Sequence, residues 1–289
     1  MSKINCYFNG RFVADAEVRI SPFNHGFLYG IGFFETFRTY HSTIIGLPDH
    51  IHRLSRSLRD LHLHIQLNED EIQRAAKQLN EYADGEDGYF RLTVYAGDEG
   101  MGLGPREYDN VNYLLMRKDL PAVSRGTDKE ARILSTVRNS VETTFRHKSL
   151  NFINNVKARQ EVSSLAQVEG ILLNEEGYIT EGVTSNLFWV KNGELHTPAV
   201  ETGLLEGTTR NKIIKLSKEI MKVSEGLYSK EDLIGIDELF ATNAVQELVP
   251  IRSIHGIPLK GQKGPIYQIL HEKYRQMIEQ EVMENGKKI

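Results

Sequence analysis

The sequence has 289 residues, of which 40% are hydrophobic and 26% are charged, and its formal net charge is -4. This composition is sufficient for a globular core and two domains of ordinary size, and it gives no basic field for nucleic acid or an acidic membrane. No run of about 18 apolar residues and no apolar leader with a cleavage site occurs, so we expect a cytoplasmic protein without a membrane span. The single cysteine, Cys6, has no partner for a disulfide or a thiolate metal site, and we expect no bound metal.

The chain is predicted to begin with a β-hairpin that is followed by two helices. Asn9-Gly10 lies between two strand-like runs, and this dipeptide readily adopts the positive φ angles of a two-residue turn. Apolar residues then recur at helical spacing over 51–61 and again over 72–82. This periodicity predicts two amphipathic helices that each bury one face.

Two strands are predicted after these helices, over 89–96 and over 111–117. Side chains alternate between the two faces of a strand, so Tyr89, Arg91 and Thr93 share one face and the apolar residues between them share the other. A face of this kind is compatible with a pocket wall in which Arg91 binds a ligand, and also with a structural ion pair.

The stretch over 118–129 is the best place to divide the chain, because it contains Pro121 and Gly126 and lacks clear periodicity. We therefore expect a smaller N-terminal α/β domain over 1–120 and a larger C-terminal domain over 121–289. Further strands are predicted over 131–138, 170–173, 185–190 and 238–242, and further helices over 149–166, 209–223 and 265–281. Mixed strands and helices in both halves predict a two-domain fold of α/β and α+β type.

Two glycine-rich stretches do not match a dinucleotide-binding fingerprint. The first, over 30–32, lacks the third glycine of the G-x-G-x-x-G pattern. The second, over 97–104, ends at Pro105 without opening a convincing helix. Because the second stretch follows the end of a predicted strand, it is either a loop that covers a pocket or a plain surface turn.

Three segments of the second half carry side chains that are suited to catalysis or phosphate binding. Lys148 directly precedes an apolar, helix-forming run, although a lysine at such a place is most often a solvated loop residue. Glu181 lies between two strand-like runs, where it either serves a site or caps a turn. Thr208 and Thr209 follow Gly207 at the start of a predicted helix, so the hydroxyls and N–H groups there either cradle a phosphate or only cap the helix.

The order of these and other segments along the chain is similar to that of a known family. The similar segments are NHGFLYGIGFFETFR over 24–38, HRL over 52–54, HKSLN over 147–151, TEG over 180–182, LEGTTR over 205–210 and TNA over 242–244. Together they resemble the class IV, fold type IV pyridoxal-phosphate aminotransferases, which include branched-chain and D-amino-acid aminotransferases and 4-amino-4-deoxychorismate lyase. The resemblance runs from about Asn9 to Ile251 and is carried by six segments in the same order.

The resemblance implies a pyridoxal 5'-phosphate enzyme whose C-terminal domain is the cofactor-binding one. The residues that it assigns to the cofactor are Arg53, Lys148, Glu181, Gly207, Thr208, Thr209 and Asn243. In this assignment Lys148 holds the cofactor as a Schiff base and is the catalytic base, and burial beside a cationic cofactor favours its neutral amine. Glu181 contacts the pyridine nitrogen and keeps it protonated, while Arg53 offers its planar fork to the phosphate.

Within the family, the sequence is most similar to the lyase of the Gram-positive type. The stretches over 21–30 and 34–38 and the Asn243-Ala244 pair carry this similarity. Tyr89 and Arg91 are instead similar to the branched-chain transaminases, in which such side chains help to bind an acidic substrate. The substrate residues that the resemblance implies are Phe34, Tyr89, Arg91 and Ala244.

We therefore expect a lyase that removes pyruvate from 4-amino-4-deoxychorismate and forms 4-aminobenzoate in the folate pathway. Lys148 takes the substrate proton, and Lys148 or the catalytic hydroxyl of Thr36 protonates the departing enolpyruvyl group. The alternatives are a branched-chain aminotransferase and a D-amino-acid aminotransferase, although the latter carries an arginine where this chain has Ala96. A minor alternative is a pyridoxal-phosphate-binding protein without turnover. The resemblance also implies a homodimer that acts on a small molecule.

Overall fold

The computed structural model describes residues 3–104, 106–120 and 126–286. The chain forms two compact units. The first unit contains the described residues of 1–121, 147–151 and 278–286, and the second unit contains those of 122–146 and 152–277. The division into domains over 1–120 and 121–289 stays a prediction, because the compactness of the two units does not test independent folding.

The first unit is built on a six-stranded antiparallel sheet with the strand order β2-β1-β6-β5-β3-β4. Its strands are β1 (Ile4–Phe8), β2 (Arg11–Ala14), β3 (Gly32–Tyr40), β4 (Thr43–Ile44), β5 (Gly88–Ala96) and β6 (Val111–Asp119). Its helices are α1 (His25–Tyr29), α2 (Leu47–Asp60) and α3 (Glu69–Glu81), with a 3-10 turn at Asp15–Glu17. The predicted hairpin is confirmed, because Asn9 and Gly10 have φ angles of 45° and 83°, as a two-residue turn requires.

The two faces of this sheet differ because the side chains of β3 and β5 alternate. Phe33, Phe37 and Phe90 belong to one face, where they form a buried core with α2 and α3. Leu54 and Leu58 of α2 are part of this core, as their helical spacing predicts. The opposite face of β3 and β5 carries polar and aromatic side chains, and the candidate site of the first unit lies on it.

The second unit contains a nine-stranded mixed sheet with the order β12-β11-β10-β13-β14-β7-β8-β9, to which β15 is added beside β14. Its strands are β7 (Lys129–Ile133), β8 (Val168–Leu173), β9 (Ile179–Gly182), β10 (Asn186–Lys191), β11 (Glu194–Pro198), β12 (Val223–Gly226), β13 (Glu238–Asn243), β14 (Glu247–Ile254) and β15 (Ile257–Pro258). Its helices are α4 (Ile153–Gln160), α5 (Thr208–Ser217) and the first part of α6 (Pro265–Gly286), with 3-10 turns at Val200–Thr202, Lys230–Leu233 and Gly261–Lys263. Mixed strands and helices in both units confirm the predicted fold class.

The strand predicted over 131–138 is shorter in the structure and ends at Ile133. The N–H groups of Ser135 and Thr136 each donate to a carboxylate oxygen of Glu161 at 2.7 Å, and both hydroxyls donate to the same carboxylate. Burial alone would raise the pKa of the Glu161 carboxyl, but these four hydrogen bonds lower it to about 2. Bonds to a side chain therefore replace the sheet bonds that the sequence pattern predicts.

Two predicted helices are also shorter, because residues at their ends bond to strands. The helix predicted over 149–166 corresponds to α4, which spans only Ile153–Gln160. It begins late because residues 149–150 pair with β3. The helix predicted over 209–223 ends at Ser217, and Val223 begins β12 beside β11. Pairing with a distant strand overrides local periodicity in both cases. Among the helices of the described residues, none combines the length and apolar character that a membrane crossing needs.

The glycine-rich stretch over 97–104 is a loop that is fastened to α1. His25 is fully buried, and its Nε2 atom lies 3.1 Å from the carbonyl oxygen of Gly100. The Gly102 N–H donates to the hydroxyl of Tyr29 at 2.7 Å. These bonds give the loop a fixed attachment to the first unit.

Candidate active site

Lys148 and Arg91 both contact the ring of Phe34 on the polar face of the first unit. The Lys148 Nζ atom lies 4.6 Å from the centre of the ring, and the Arg91 guanidinium carbon lies 3.5 Å from it. Both separations are typical of cation–π contacts. Because Phe34 is only 3% exposed, the ring is a buried apolar surface against which both cations pack. The structure thus brings together three of the predicted site residues.

The main chain around Lys148 pairs with β3. The Phe34 N–H donates to the carbonyl oxygen of Lys148 at 2.8 Å, and the Leu150 N–H donates to the carbonyl oxygen of Gly32 at 3.0 Å. Ser149, between them, forms a β-bridge with β3. This short pairing explains why residues 147–151 belong to the first unit, although the chain on both sides of them belongs to the second.

Thr36 and Tyr89 lie on the same sheet face as Arg91. In the register of β3 and β5, Thr36 is directly opposite Arg91, and opposed residues of antiparallel strands project to the same side. Arg91 Nε donates to Thr93 Oγ1 at 3.2 Å, and burial lowers the pKa of the Arg91 guanidinium. The ring of Tyr89 lies 4.3 Å from Lys118 Nζ. The strand register thus gives Tyr89, Arg91 and Thr93 the common face that their alternation predicts.

Arg53 of α2 forms a bidentate ion pair with Glu35 of β3. Its Nε lies 2.8 Å from Glu35 Oε1, and its Nη2 lies 2.6 Å from Oε2. His50, one turn earlier on α2, places Nδ1 2.7 Å from the same Oε2 atom. Burial alone would raise the pKa of the Glu35 carboxyl, but the charge of Arg53 and the bond to His50 lower it to about 2. The ion pair fixes both the plane and the direction of the guanidinium.

Glu181 of β9, in the second unit, is a buried carboxylate with two hydrogen-bond donors. Arg138 Nε donates to its Oε1 atom at 2.8 Å, and the Leu205 N–H donates to its Oε2 atom at 3.0 Å. Arg138 also donates to the side-chain oxygen of Asn154 at 2.8 Å. The arginine supplies the counter-charge that a buried carboxylate requires, and the two donors together fix the orientation of Glu181.

Helix α5 starts directly after Gly207, and no side chain of the described residues caps it there. A Cβ atom at Gly207 would collide with the side-chain oxygen of Asn186, whose amide nitrogen donates to the Leu205 carbonyl oxygen at 2.8 Å. The first two residues of the helix, Thr208 and Thr209, are buried. The start of α5 thus combines backbone N–H groups, two hydroxyls and a glycine whose backbone lies close to the side chain of Asn186. This arrangement is suited to binding a phosphate.

Asn243 is the last residue of β13, and Ala244 begins the turn to β14. The side-chain oxygen of Asn243 accepts hydrogen bonds from the N–H groups of Val245 at 3.0 Å and Gln246 at 2.7 Å. Its amide nitrogen donates to Gln246 Oε1 at 3.1 Å. The side chain of Asn243 therefore shapes the turn, and its role towards the cofactor stays a prediction.

The side chains that hold the predicted residues in place are mostly not evident from the sequence. His50 has a detectable signal, because it precedes Arg53 by one helical turn and shares its face. Glu35 lies inside one of the similar segments, but no pattern there indicates its partner. Arg138 and Asn186 are 43 and 19 residues away from the groups that they bond, so no local spacing reveals them.

Comparison with known proteins shows the family of this chain. The family described as Amino-transferase class IV matches residues 32–254. The chain therefore belongs to the class IV aminotransferase family, and the resemblance that the six sequence segments carry is confirmed.

Individual relatives cover almost the whole chain. Aminodeoxychorismate lyase of Bacillus subtilis is 38% identical over 283 residues, which are 97% of this chain and 97% of that protein. The branched-chain amino acid aminotransferase of Escherichia coli matches with a TM-score of 0.86 and 28% identity, over 96% of this chain and 95% of that one. The T.th. branched-chain amino acid aminotransferase complexed with N-(5'-phosphopyridoxyl)-L-glutamate has a TM-score of 0.84 and 27% identity, with coverage of 96% and 95%. These matches confirm a fold type IV architecture.

The side chains and backbone groups of the two units fit the chemistry of pyridoxal phosphate. A phosphate needs N–H and hydroxyl donors, and the start of α5 beside Gly207 supplies both. The buried hydroxyl of Thr242, which is opposite Asn186 in the sheet, has no hydrogen-bond partner among the described residues and is suited to bind a ligand. Glu181 is an acceptor of the kind that a protonated pyridine nitrogen needs. In the first unit, Lys148 carries a primary amine, which is the group that bonds to an aldehyde.

Protonation of Glu35 should destabilise the protein in acid. The carboxyl pKa is about 2 in the folded protein against an ordinary value of 4.5, so its stabilising contribution is present above that ordinary value and is lost as the pH falls towards the folded pKa. For one proton, this shift corresponds to about 3 kcal/mol. Chemical denaturation from about pH 6 to about pH 2 should show that the free energy of unfolding of Glu35→Gln falls less steeply than that of the wild type.

Ile20→Ala is the matched control, because Ile20 is an exposed apolar residue of the same unit and the change affects no titrating group. It should keep the wild-type dependence on pH. Glu35→Gln should also be less stable near neutral pH, since it leaves Arg53 without its counter-charge. Parallel profiles for Glu35→Gln and the wild type would contradict the electrostatic role of Glu35.

Proposed function

We propose that this protein is a pyridoxal 5'-phosphate-dependent 4-amino-4-deoxychorismate lyase, which releases pyruvate and forms 4-aminobenzoate in the folate pathway. The observation that carries the proposal is similarity over the full length. The Bacillus subtilis lyase is 38% identical across 97% of both chains, whereas the Escherichia coli branched-chain aminotransferase is 28% identical at similar coverage. The lyase relative is thus more similar to this chain than that transaminase at nearly equal coverage.

Pyridoxal phosphate, when bound, withdraws electrons from the substrate carbon that bears the amine and makes its proton acidic. Lys148 takes this proton. The pairing of its main chain with β3 supports this role, because it fixes the position from which the lysine side chain extends. The electrons of the broken C–H bond form a ring double bond, and the C–O bond to the enolpyruvyl group breaks. Lys148 or Thr36 protonates the methylene carbon of that group. The products are pyruvate and an aromatic ring, so the elimination needs no second substrate.

The cofactor is held by residues that present anion-binding and acceptor groups. Towards the phosphate we assign Arg53, Gly207 and Thr208, and towards the pyridine nitrogen we assign Glu181. Thr209 and Asn243 are assigned to the cofactor as a whole. The ion pair with Glu35 supports the role of Arg53, because it orients the planar guanidinium in advance. The bond from Arg138 supports the role of Glu181, because it fixes the carboxylate before the cofactor binds.

The substrate is held by Arg91, Tyr89 and Phe34 on one sheet face and by the backbone at Ala244. Arg91 would bind a substrate carboxylate, and its partial burial over Phe34 supports this role because a charge-assisted hydrogen bond is stronger where water is excluded. Tyr89 shares the face of Arg91 and is half-buried. These four residues contact groups of the substrate that do not react, so they govern affinity and selectivity.

A branched-chain or D-amino-acid aminotransferase is the second candidate. The observation that favours the branched-chain enzyme is the common face of Tyr89 and Arg91, together with the TM-score of 0.86 to the Escherichia coli enzyme. Such an enzyme would keep the amino group after releasing its first product and would require a 2-keto acid to accept it. A pyridoxal-phosphate-binding protein without turnover is disfavoured, because binding of a phosphate needs neither Lys148 nor Glu181.

Lys148 should be the residue that borohydride links to the cofactor. Reduction of the purified protein with its cofactor should fix a pyridoxyl group on Lys148, because this amine is bonded to the cofactor aldehyde. Peptide mapping by mass spectrometry measures the site. Lys157→Ala is a matched control from the following helix and should keep the label on Lys148. A label on any other lysine in the wild type would overturn the assignment.

Turnover without a keto acid should separate a lyase from a transaminase. Purified protein given 4-amino-4-deoxychorismate alone should form many equivalents of 4-aminobenzoate and pyruvate for each active site, because elimination restores the starting enzyme. Both products are measured by chromatography. A transaminase would stop after one turnover, because it would keep the amino group when no keto acid is present to accept it.

Two comparisons complete this test. Lys148→Ala should abolish product formation, whereas Lys157→Ala should not reduce it. Rapid transfer of the amino group from leucine, isoleucine or valine to 2-oxoglutarate, without pyruvate from 4-amino-4-deoxychorismate, would make the transaminase reading correct and the lyase reading wrong.

We also propose a cytoplasmic homodimer, as the family resemblance implies. Support comes from large apolar side chains on the loop that is fastened to α1: Met101 is 82% exposed and Leu103 is 92% exposed. Phe27 of α1 is 72% exposed. The bond between Gly102 and Tyr29 fixes this loop, and apolar side chains that a fixed surface exposes together are typical of an interface.

Charges at this surface should dissociate the dimer. The double variant Met101→Glu and Leu103→Glu should sediment as a monomer at micromolar concentration, because burying two carboxylates in an apolar interface is costly. Ile257→Glu, at a side chain of the second unit that is 63% exposed, is the control and should remain a dimer. A wild-type monomer, or a dimer that survives both charges, would contradict the proposal.

A further inference from the structure

His147, the residue before Lys148, is bonded through both nitrogens of its ring. Its Nδ1 atom lies 2.9 Å from Ser57 Oγ, and its Nε2 atom lies 3.0 Å from Asp60 Oδ2. The ring packs on Phe33 with 5.1 Å between the ring centres. Its side chain is 5% exposed, so the imidazole is enclosed between α2 and β3.

The two partners of His147 lie on the helix that also carries Arg53. Arg53, Ser57 and Asp60 are spaced four and three residues apart, which places them on one face of α2. Ser57 Oγ also donates to the carbonyl oxygen of Arg53 at 3.4 Å. The ring of His147 thus attaches the chain at Lys148 to the turn of α2 that follows Arg53.

We propose that His147 is a positioning residue for Lys148: it fixes the main chain on the N-terminal side of the lysine to α2, and so sets the start of the lysine side chain relative to Arg53. The inference rests on the proposed role of Lys148 as the lysine that bonds the cofactor aldehyde. Nothing in the reaction requires His147 to contact substrate or cofactor.

The pairing with β3 constrains Lys148 through two hydrogen bonds. The Phe34 N–H donates to the carbonyl oxygen of Lys148, and the Leu150 N–H donates to that of Gly32. On the preceding side, no strand pairs with the chain among the described residues, because residues 139–146 form no helix or strand. On that side Arg146 bonds to the carbonyl oxygens of Gly203 and Asn139, and the His147 ring supplies the constraint that attaches the residue next to the lysine to α2. A lysine side chain has four rotatable bonds, so a small shift at its Cα atom spreads the positions of the amine and slows its reaction.

A role limited to stability makes a different prediction. Asp60 is 33% exposed in its side chain, and partly exposed ion pairs contribute little to folding. Loss of the His147 bonds would then change thermal stability slightly and leave the reaction of Lys148 unchanged. The measurement that separates the two roles must report on the lysine itself and not on overall folding or on phosphate binding.

The experiment compares two ligands with cofactor-free, full-length protein. Pyridoxal 5'-phosphate can bond to Lys148, whereas pyridoxine 5'-phosphate has an alcohol in place of the aldehyde and can only bind. In His147→Leu, covalent capture of pyridoxal 5'-phosphate at saturating ligand should be about tenfold slower, followed by visible absorbance and by borohydride trapping. The dissociation constant of pyridoxine 5'-phosphate should stay within about twofold of the wild type.

Asp60→Asn and Ser57→Ala test the same contact from α2 without changing the residue next to the lysine. Each should slow capture in the same direction as His147→Leu, and adding Asp60→Asn to His147→Leu should cause no further loss, since both remove one interaction. His64→Leu is the matched control, because this histidine pairs with Glu107 at 3.5 Å at an exposed place in the same unit. It should leave capture unchanged.

Wild-type capture rates in His147→Leu and Asp60→Asn would overturn the positioning role. Equal losses in the capture rate and in the affinity for pyridoxine 5'-phosphate would also overturn it, because they indicate general disruption of the binding site. Failure of the proposed function has a different signature. In that case the wild-type protein would not bond pyridoxal 5'-phosphate at Lys148, whatever residue stands at position 147.

Discussion

The candidate site of the first unit depends on the main-chain pairing between residues 147–151 and β3. The bond from the Phe34 N–H to the Lys148 carbonyl oxygen sets the lysine beside the ring of Phe34, where Arg91 also packs. Strand pairing restricts the dihedral angles of both partners, so it fixes a side chain's starting point better than a single side-chain contact. The same pairing keeps residues 149–150 out of α4.

Buried charge is compensated within each unit before any ligand binds. Glu35 neutralises Arg53 in the first unit, and Arg138 neutralises Glu181 in the second. Compared with well-packed apolar side chains, such pairs add little net stability, because removing two charges from water costs about as much as their attraction returns; neutralising one partner alone is what destabilises the fold. Their value here is orientation: each pair leaves a planar group in one fixed direction, which lowers the entropy lost when a ligand binds.

The sequence predicts elements where local pattern and final contacts agree, as in the Asn9-Gly10 hairpin and the apolar stripe of α2. Lys148 and Glu181 are recognised only through their order among similar segments, since each is ordinary when taken alone. The pairing of Lys148 with β3 and the bond from Arg138 to Glu181 join residues far apart in the sequence. No spacing rule contains that information, because it arises only when the strands assemble.

A fold shared by lyases and transaminases leaves the choice of reaction to a few side chains around Lys148. Elimination differs from transamination in the breaking of the C–O bond and in the proton transfer that follows, which must reach the methylene carbon of the departing group. Thr36 and Arg91 are directly opposed across β3 and β5, so their Cβ atoms are roughly 5 Å apart on one face. If Arg91 binds the carboxylate of the enolpyruvyl group, the Thr36 hydroxyl is on the same sheet face as that group. The register of these two strands would then place Arg91, which recognises the departing group, beside Thr36, which supplies its proton.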